Sequence, residues 1–490
     1  MMNFFEIRKR AALLLAAGTV VISVAQTAPV QAQAPPVSYL PGVTEEMSHP
    51  EYWAALQDQR LGAGSSAQLL ATAPSIAELN RRTLATASCQ MTDLSAVPAS
   101  FDGISQREAL IRGAQSDFQY FQSSGAIYDQ NGNVAGPDFY AQILANTQDP
   151  GALRQQFVKY GICTERTDVR SYPTMQILTD EAGDVDFDYF QNSALRVNEP
   201  VVIKGRSADG LWYLVKTISC DGWVRASDIA VCSSKEEWEG AWKIPEDHLI
   251  VVTGGKLYLE KSNRNPDIAG KMLSMGTTLR RAESWEYTSQ VTNRASVNNY
   301  AVWMPLRAAD GTYQKKVVLI SQHDCVNAGY LPLTTQNVLN VAFSMLGDAY
   351  GWGGMLDSAD CSSYIRDIYK CFGIELPRNT NWQAAMPAVK CDLSPLPQDA
   401  SGDVAKKALL DTLPAGTALY FNGHAMMYLG RVSDEYYVIS SVSSIADPET
   451  GKYLRVRGVV VNNLSVKRLS GKTWLNCINL AVVPYLAAPQ

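Results

Sequence analysis

The sequence is poor in histidine and lacks a long apolar run beyond its N-terminus, and both absences exclude classes of protein. Its 490 residues include only four histidines, and it has neither a His-x-x-x-His nor a Cys-x-x-Cys pair, so we expect no metal site. The glycine-rich GWGG lacks the lysine and the spacing of a phosphate-binding loop, and no cofactor is expected. After residue 25 no stretch reaches ~18 uninterrupted apolar residues, so we expect no transmembrane segment in the mature chain.

An excess of basic charge is also missing. The 42 Lys and Arg residues are outnumbered by 48 Asp and Glu residues, which gives a net charge of −6. Because nucleic-acid-binding proteins favour a basic face, we do not expect nucleic acid as a partner. The hydrophobic content of 46% is that of a folded protein, and the length predicts about three or four domains.

The first 25 residues are predicted to be a signal peptide. Arg8, Lys9 and Arg10 form a positive segment, and the apolar run Ala11–Ala25 follows it. Cleavage is expected after Ala25 or as late as residue 34. The alternative is an uncleaved membrane anchor, although the apolar run is short for one. We therefore expect an exported protein, either periplasmic or secreted.

Nine cysteines follow this segment, and an odd number leaves at least one thiol unpaired. Export permits disulfide bonds, and two pairs are close enough in sequence to be candidates, Cys220 with Cys232 and Cys371 with Cys391. The sequence alone does not determine the connectivity.

By its residue composition and hydrophobic periodicity, the remaining chain divides into a linker and four segments. Short β-rich runs broken by Gly, Asp and Pro have the spacing of small barrels. The last segment has helical periodicity first and strands afterwards, which predicts an α+β domain. In chain order we expect a linker at 35–50, a helical region at 51–163, small β-barrels at 164–232 and 245–325, and the α+β domain at 332–490.

Four motifs in this last segment indicate nucleophilic catalysis by a cysteine: GDAYGWGG (347–354), DCSS (360–363), LPRNTNWQ (376–383) and GHAMMYLG (423–430). Cys361 opens a predicted helix, where backbone N–H groups and the helix dipole favour a thiolate. His424 is the only histidine in the same segment, and it stands at a strand start that could aim its ring. It could take the thiol proton and later protonate the leaving amine.

These motifs resemble the NlpC/P60 family of cysteine peptidases, which cut peptide bridges of the bacterial wall. The resemblance implies a papain-like fold at the C-terminus, with Cys361 as nucleophile and His424 as general base. It also implies that the Tyr350 hydroxyl and the Cys361 backbone N–H stabilise the oxyanion. The family usually orients the imidazole with a second histidine or another polar residue. The matching stretch YYVISS offers Ser440 or Ser441, and we favour Ser440 by its place in the motif.

The stretch 169–230 resembles a bacterial SH3-like domain that precedes NlpC-type domains in a multidomain subgroup. That subgroup has a helical N-terminal stabilising domain and a second SH3-like domain, in the order expected here. The resemblance implies hydrolysis of the bond between D-Glu and a diamino acid in peptidoglycan stem peptides or muropeptides. It implies substrate contacts from the first SH3-like domain and from the residues around Cys361. The expected substrate-binding residues are Asp188, Asp360, Ser362, Arg378, Asn379 and Thr380.

Several alternatives stay open at this point. Arg378 could instead hold its own loop. Trp212 and Trp223 could belong to the core of the first barrel rather than to the part of that barrel that lines the substrate cleft. Ser363 stands where the family commonly has glycine, which could narrow the pocket. For the whole protein, the alternatives are a wall-peptide-binding protein with little or no activity and a thioester-based acyl- or amidotransferase.

Overall fold

The computed structural model describes residues 38–263, 265–291 and 294–485. The predicted signal peptide and the first residues of the predicted linker lie outside these ranges. Within the described ranges, no helix is both long and apolar enough to cross a bilayer.

Four helices follow the linker, and they divide between two cores. The first two pack on the C-terminal domain: Trp53 is fully buried 5.4 Å from the ring of Tyr437, and Asn80 donates to the Gly373 carbonyl. The next two pack with Tyr172 and Phe190 of the first β-rich segment. The predicted helical region therefore does not close a core of its own. The helices are α1 (Pro50–Leu61), α2 (Ala73–Ala85), α3 (Gly103–Ser123) and α4 (Pro137–Asn146), and the short strands near them are β1 (Ser100–Phe101), β2 (Tyr128–Asp129) and β3 (Gln156–Phe157).

The first barrel-like segment is a seven-stranded antiparallel sheet that begins slightly before residue 164. Its strand order is β11-β4-β8-β9-β10-β5-β7, while β6 pairs with β2 outside it. Trp212 and Trp223 are 4% and 1% exposed and pack together, so they belong to the core, as one of the two alternatives expected. The strands are β4 (Lys159–Cys163), β5 (Thr167–Arg170), β6 (Leu178–Thr179), β7 (Gln191–Leu195), β8 (Pro200–Arg206), β9 (Trp212–Lys216), β10 (Gly222–Arg225) and β11 (Ile229–Val231).

The second β-rich segment forms a five-stranded antiparallel sheet in the order β17-β16-β15-β12-β18, with β13 and β14 paired separately. Its resemblance to a second SH3-like barrel stays a prediction. Two short helices flank its strands. The elements are α5 (Lys235–Trp242), β12 (Leu249–Val252), β13 (Lys256–Tyr258), β14 (Met272–Ser274), β15 (Thr278–Arg281), α6 (Ser284–Tyr287), β16 (Asn299–Arg307), β17 (Tyr313–Ser321) and β18 (Val326–Ala328).

The C-terminal domain has helices followed by an antiparallel sheet of six strands, ordered β19-β24-β20-β21-β22-β23, which confirms the α+β prediction. Alternate residues of β21 enter two cores: Ala425 and Met427 pack with α7 and α8, and Met426 and Tyr428 face the opposite core. The elements are α7 (Thr335–Phe343), α8 (Cys361–Lys370), α9 (Thr380–Ala384), β19 (Val389–Asp392), α10 (Ala400–Leu410), β20 (Ala418–Phe421), β21 (His424–Val432), β22 (Glu435–Ala446), β23 (Tyr453–Asn463), α11 (Trp474–Cys477) and β24 (Leu480–Val483).

All nine cysteines are free thiols, so neither of the two candidate disulfides is present. The Cys371 thiol is buried at the end of α8 and points at the Val252 carbonyl, 3.5 Å away. Its candidate partner Cys391 lies on β19, at the edge of the sheet. Closeness in sequence was therefore a poor guide, because the fold places the two thiols on different elements.

Candidate active site

The start of α8 holds Cys361 as the first helical residue. Asp360 is the N-cap: its carboxylate accepts from the Ser363 N–H at 2.9 Å, and the Ser363 hydroxyl accepts from the Asp360 N–H at 2.9 Å. This reciprocal pair is a capping box, which satisfies two otherwise unpaired N–H groups at a helix start. Ser363, the departure from the family pattern, therefore helps to fix the position of Cys361.

Cys361 is only 8% exposed; its thiol lies beside the first residues of β21, and the N–H of Ala425 is directed at it. Burial and the negative charge of Asp360 raise the pKa of the thiol to about 12, although Ala425 and Arg378 act in the opposite direction. The Ser362 N–H at the helix start lowers the pKa of the thiol, as expected of a helix N-terminus, but burial raises it more strongly.

His424 begins β21, next to Ala425. Its ring lies 4.8 Å from Trp474 and 5.3 Å from Phe421, and its Nε2 atom is 3.2 Å from Ser440 Oγ. Burial, and after it the positive charge of Arg468, lower the pKa of His424 to about 3. The imidazole is therefore neutral at physiological pH. A neutral ring that donates from Nε2 to Ser440 keeps a lone pair on Nδ1 for a thiol proton.

The two neighbouring serines of β22 have different partners. Ser440 lies beside His424, whereas the Ser441 hydroxyl donates to the Ala359 carbonyl at 2.7 Å. Their opposite directions follow from the alternation of side chains along a strand. Ser441 ties β22 to the segment just before the nucleophile, a role that sequence reasoning missed.

Within the part of the chain that the structure describes, no hydrogen bond joins the Cys361 thiol to the His424 ring. With the pKa of the thiol raised and that of the imidazole lowered, the resting pair is neutral. Catalysis by this pair requires proton transfer to His424 together with the attack of sulfur on a carbonyl carbon.

Arg378 and Asp360 form a buried ion pair behind the nucleophile. Arg378 is 1% exposed; its Nη2 atom lies 2.5 Å from Asp360 Oδ2, and its Nε atom donates to Ser193 Oγ on β7 at 2.9 Å. The Ser362 hydroxyl accepts from Arg378 and donates to Asp360. Burial alone would raise the pKa of Asp360, but Arg378 outweighs it and brings that pKa to about 2.

In this network the polar groups of Asp360, Ser362 and Arg378 are directed at one another, and their contact with substrate stays a prediction. Their polar atoms are paired with one another, because a buried ion must have partners to offset the loss of water. The alternative reading of Arg378, in which it holds its own loop, fits the structure better. The network also links the first β-rich segment, through Ser193, to the cap of the nucleophile helix.

Asp188 also faces inward, contrary to expectation. Its carboxylate is fully buried, pairs with Arg170 at 2.6 Å and accepts from the N–H groups of Leu178 and Phe190. Its backbone carbonyl reaches the C-terminal domain, where it accepts from Trp352 Nε1 at 3.0 Å. The carboxylate therefore shapes its own loop rather than a substrate site.

The neighbouring Phe187, which sequence reasoning missed, joins this loop to the candidate site. Its ring stacks on Tyr350, with centroids 5.7 Å apart and planes 9° apart, and lies 5.2 Å from Trp352. Tyr350 is 6% exposed and pairs with Ala359, two residues before Cys361. Asp188 is the residue of this loop that the sequence indicated, but the aromatic ring of Phe187 makes the contact with the candidate site.

Asn379 and Thr380 stand at the beginning of α9 and are half-buried. No side-chain hydrogen bond of Asn379 caps this helix; its backbone carbonyl accepts from the Gln383 N–H. Of the expected substrate-binding residues, these two keep the most exposed side chains. In the ranges that the structure describes, no group of three or more metal-binding side chains occurs.

Comparison with known families agrees with this geometry. Residues 347–481 match the NlpC/P60 family, and residues 177–225 match the SH3 domain of the SH3b1 type. The C-terminal domain is an NlpC/P60 domain. The chain thus combines an NlpC/P60 domain with a preceding SH3b1-type domain and a helical N-terminal region, as the motifs predicted.

Solved structures extend the likeness over most of the chain. An NlpC/P60 endopeptidase from Photobacterium damselae subsp. piscicida has a TM-score of 0.66 at 18% identity, covering 87% of this chain and 96% of that one. An NlpC/P60 family protein from Bacillus cereus ATCC 10987 has a TM-score of 0.39 at 16% identity, covering 60% of this chain and 82% of that one. This TM-score is too low to indicate a shared overall fold. A comparison with curated proteins gave no match. The first likeness shows that the two chains share a multidomain fold that includes the NlpC/P60 domain.

Proposed function

We propose that the protein is a cysteine peptidase of the bacterial cell wall that hydrolyses the bond between D-Glu and a diamino acid in peptidoglycan stem peptides. The observation that carries the proposal is the arrangement of Cys361 at a capped helix start beside the strand that begins with His424. It is supported by the NlpC/P60 match over the same residues and by the endopeptidase of similar fold.

The chemistry assigns one role to each group. The Cys361 sulfur attacks the γ-carbonyl carbon as its proton passes to His424. The imidazolium then protonates the departing amine, and a thioester remains on Cys361. Water, deprotonated by His424, hydrolyses the thioester. The Cys361 N–H and the Tyr350 hydroxyl are the proposed donors to the oxyanion, and the ring of His424 is oriented by Ser440.

The proposed substrate contacts are fewer than the motifs suggested. Asn379 and Thr380 keep half-buried side chains beside α9, while Phe187 of the SH3b1-type domain supplies an aromatic face stacked on Tyr350. We propose that residues 1–25 direct export and that the enzyme acts in the periplasm or outside the cell. Determination of the N-terminal residue of the protein recovered from those compartments tests this part of the proposal.

The deciding experiment incubates the mature protein with the L-Ala-γ-D-Glu-diaminopimelate tripeptide and follows free diaminopimelate by mass spectrometry. Wild type and the Cys325→Ala control, which changes an exposed free thiol on another segment, are expected to release it. Cys361→Ala is expected to release none while it unfolds at a temperature near that of wild type. Release by Cys361→Ala equal to that of wild type would refute the proposed nucleophile.

One alternative function is favoured by a specific observation. The neutral resting pair and the missing hydrogen bond between Cys361 and His424 suit a wall-peptide-binding protein of little activity. In that case the tripeptide would bind to wild type and to Cys361→Ala with equal affinity, and neither would release diaminopimelate.

A further inference from the structure

A tight turn after β23 brings the basic side chain of Arg468 close to His424. Lys467 pairs with Thr473 across the turn, the Arg468 N–H donates to the Lys472 carbonyl, and the Gly471 N–H donates back to Arg468. Trp474, which follows at once, packs on the His424 ring at 4.8 Å. The turn is therefore held directly beside the proposed general base.

Arg468 is placed firmly although it is exposed. Its guanidinium carbon lies 5.1 Å from the centroid of the Phe421 ring, and its Nη1 atom is 3.5 Å from the Asn422 carbonyl. Phe421 in turn lies 5.3 Å from His424. An arginine over an aromatic face keeps its charge and its planar donors available to a further partner.

Arg468 has no acidic partner in the described ranges, where no carboxylate oxygen lies within 4 Å of it. Other arginines around the site are paired: Arg378 with Asp360, Arg457 with Asp184 and Asp186, and Arg166 with Asp357. Those pairs hold the SH3b1-type domain and the nucleophile helix in place. The exposed side chain of Arg468 instead contacts the ring of Phe421 and the carbonyl of Asn422.

The position of this cation relative to the reaction identifies its ligand. His424 gives its proton to the departing amine, so the leaving fragment must lie on the His424 side of the scissile bond. A diamino acid leaving fragment carries a carboxylate, and guanidinium groups bind carboxylates well. We propose that Arg468 binds a carboxylate of the leaving diamino acid, an assignment that rests on the proposed peptidase function, and so favours substrates whose leaving fragment is anionic.

The test compares L-Ala-γ-D-Glu-L-Lys with a free C-terminal carboxylate and the same peptide as its carboxamide. Wild type is expected to show a kcat/KM about tenfold higher for the acid, as for a charge-assisted hydrogen bond at an accessible site. Arg468→Gln is expected to reduce that ratio to near one, and added salt to reduce it in wild type. Arg431→Gln, which changes an exposed arginine farther along β21, serves as the matched control and should keep the ratio.

The positive charge of Arg468 also lowers the pKa of His424, so its loss can change the rate with both substrates. Only the ratio of kcat/KM for the acid to kcat/KM for the amide therefore reports on carboxylate binding. A ratio that Arg468→Gln leaves unchanged would overturn the assignment. A second arm measures the affinity of Cys361→Ala and of Cys361→Ala/Arg468→Gln for the acid and the amide by calorimetry. If wild type cleaves neither peptide, the proposed peptidase function fails, but calorimetry still tests carboxylate binding by Arg468. Tighter binding of the acid that depends on Arg468 supports the anion site, and equal affinities for acid and amide reject it.

Discussion

Asp360 and Arg378, behind the proposed nucleophile, are buried and paired with each other, whereas Arg468, beside the proposed base, is exposed and has no described acidic partner. The nucleophile side is built as a domain interface, where each buried ion is satisfied and the SH3b1-type domain adds Ser193. On the imidazole side, the described neighbours of the ring include Ser440, the aromatic rings of Phe421 and Trp474, and the exposed Arg468. The charges on the first side therefore support the fold, whereas we propose that the charge on the second side is available to substrate.

The largest effect is expected when one charge of the buried pair is removed. Asp360→Asn leaves the Arg378 guanidinium buried without its counterion, and we expect the free energy of unfolding to fall by about 3–5 kcal/mol. Urea denaturation measures this loss. A loss below about 1 kcal/mol would show that the pair is not what supports the nucleophile helix.

The same pair predicts a dependence of stability on acid. The pKa of Asp360 is lowered in the folded state from its ordinary value of 3.8 to about 2. The contribution of the Asp360 carboxylate to stability is therefore complete above its pKa in the unfolded chain, and it is lost as pH falls through its pKa in the folded protein. Between about pH 4 and pH 2, wild type should lose more stability than Asp360→Asn does. Equal losses in urea titrations over this range would contradict the assignment.

On the imidazole side we expect losses of rate rather than of stability. Ser440→Ala removes the polar partner of His424 Nε2, so kcat toward the tripeptide should fall by about five- to tenfold, the effect of one hydrogen bond. The matched control Ser444→Ala changes a half-buried serine of the same strand and should leave kcat near wild type. An unchanged kcat in Ser440→Ala would show that the aromatic rings alone orient the imidazole.

Alkylation by iodoacetamide distinguishes a neutral pair from a preformed thiolate. Because the pKa of Cys361 is raised to about 12 and that of His424 is lowered to about 3, the thiolate fraction grows with pH. We expect the rate at Cys361 to rise by about tenfold per pH unit from about pH 7 to pH 9. A plateau across neutral pH, measured by peptide mass mapping, would reveal a thiolate–imidazolium pair instead.

The smallest expected effect is that of Arg457→Gln. Arg457 lies 4.9 Å from the Phe187 ring and pairs with Asp184 and Asp186, so it holds the SH3b1-type loop against the NlpC/P60 domain. Its loss should cost about 1 kcal/mol and speed hydrogen exchange in residues 180–190. Arg468→Gln, at a site with no such pair, should change neither quantity. Equal destabilisation by both substitutions would remove the distinction between the two sides.

The sequence was informative where chemistry is local. The helix start at Cys361, the strand start at His424 and the α+β order all follow from short-range patterns, and the family matches agree with the domains they indicated. Ser440 was favoured over Ser441 by its place in the motif, and its hydroxyl lies beside the His424 ring.

Contacts between residues that are distant along the chain could not be predicted from the sequence. Nothing in the sequence shows that Arg378 would meet both Asp360 and Ser193, or that burial would oppose a thiolate at the helix start. Sequence reasoning did not single out Arg468, because only the fold brings it close to a histidine so distant along the chain. The candidate disulfides failed for the same reason, because separation in sequence does not determine separation in space.

The central claim, that Cys361 forms a thioester with the γ-carboxyl of D-Glu, is tested most directly by acid quenching during turnover of the tripeptide. Intact mass spectrometry and peptide mapping would then locate the acyl group. We expect a mass increase equal to the L-Ala-γ-D-Glu acyl group on the peptide that contains Cys361, and no such increase in Cys361→Ala. Diaminopimelate release by Cys361→Ala, or an acyl group carried by another residue, would contradict it.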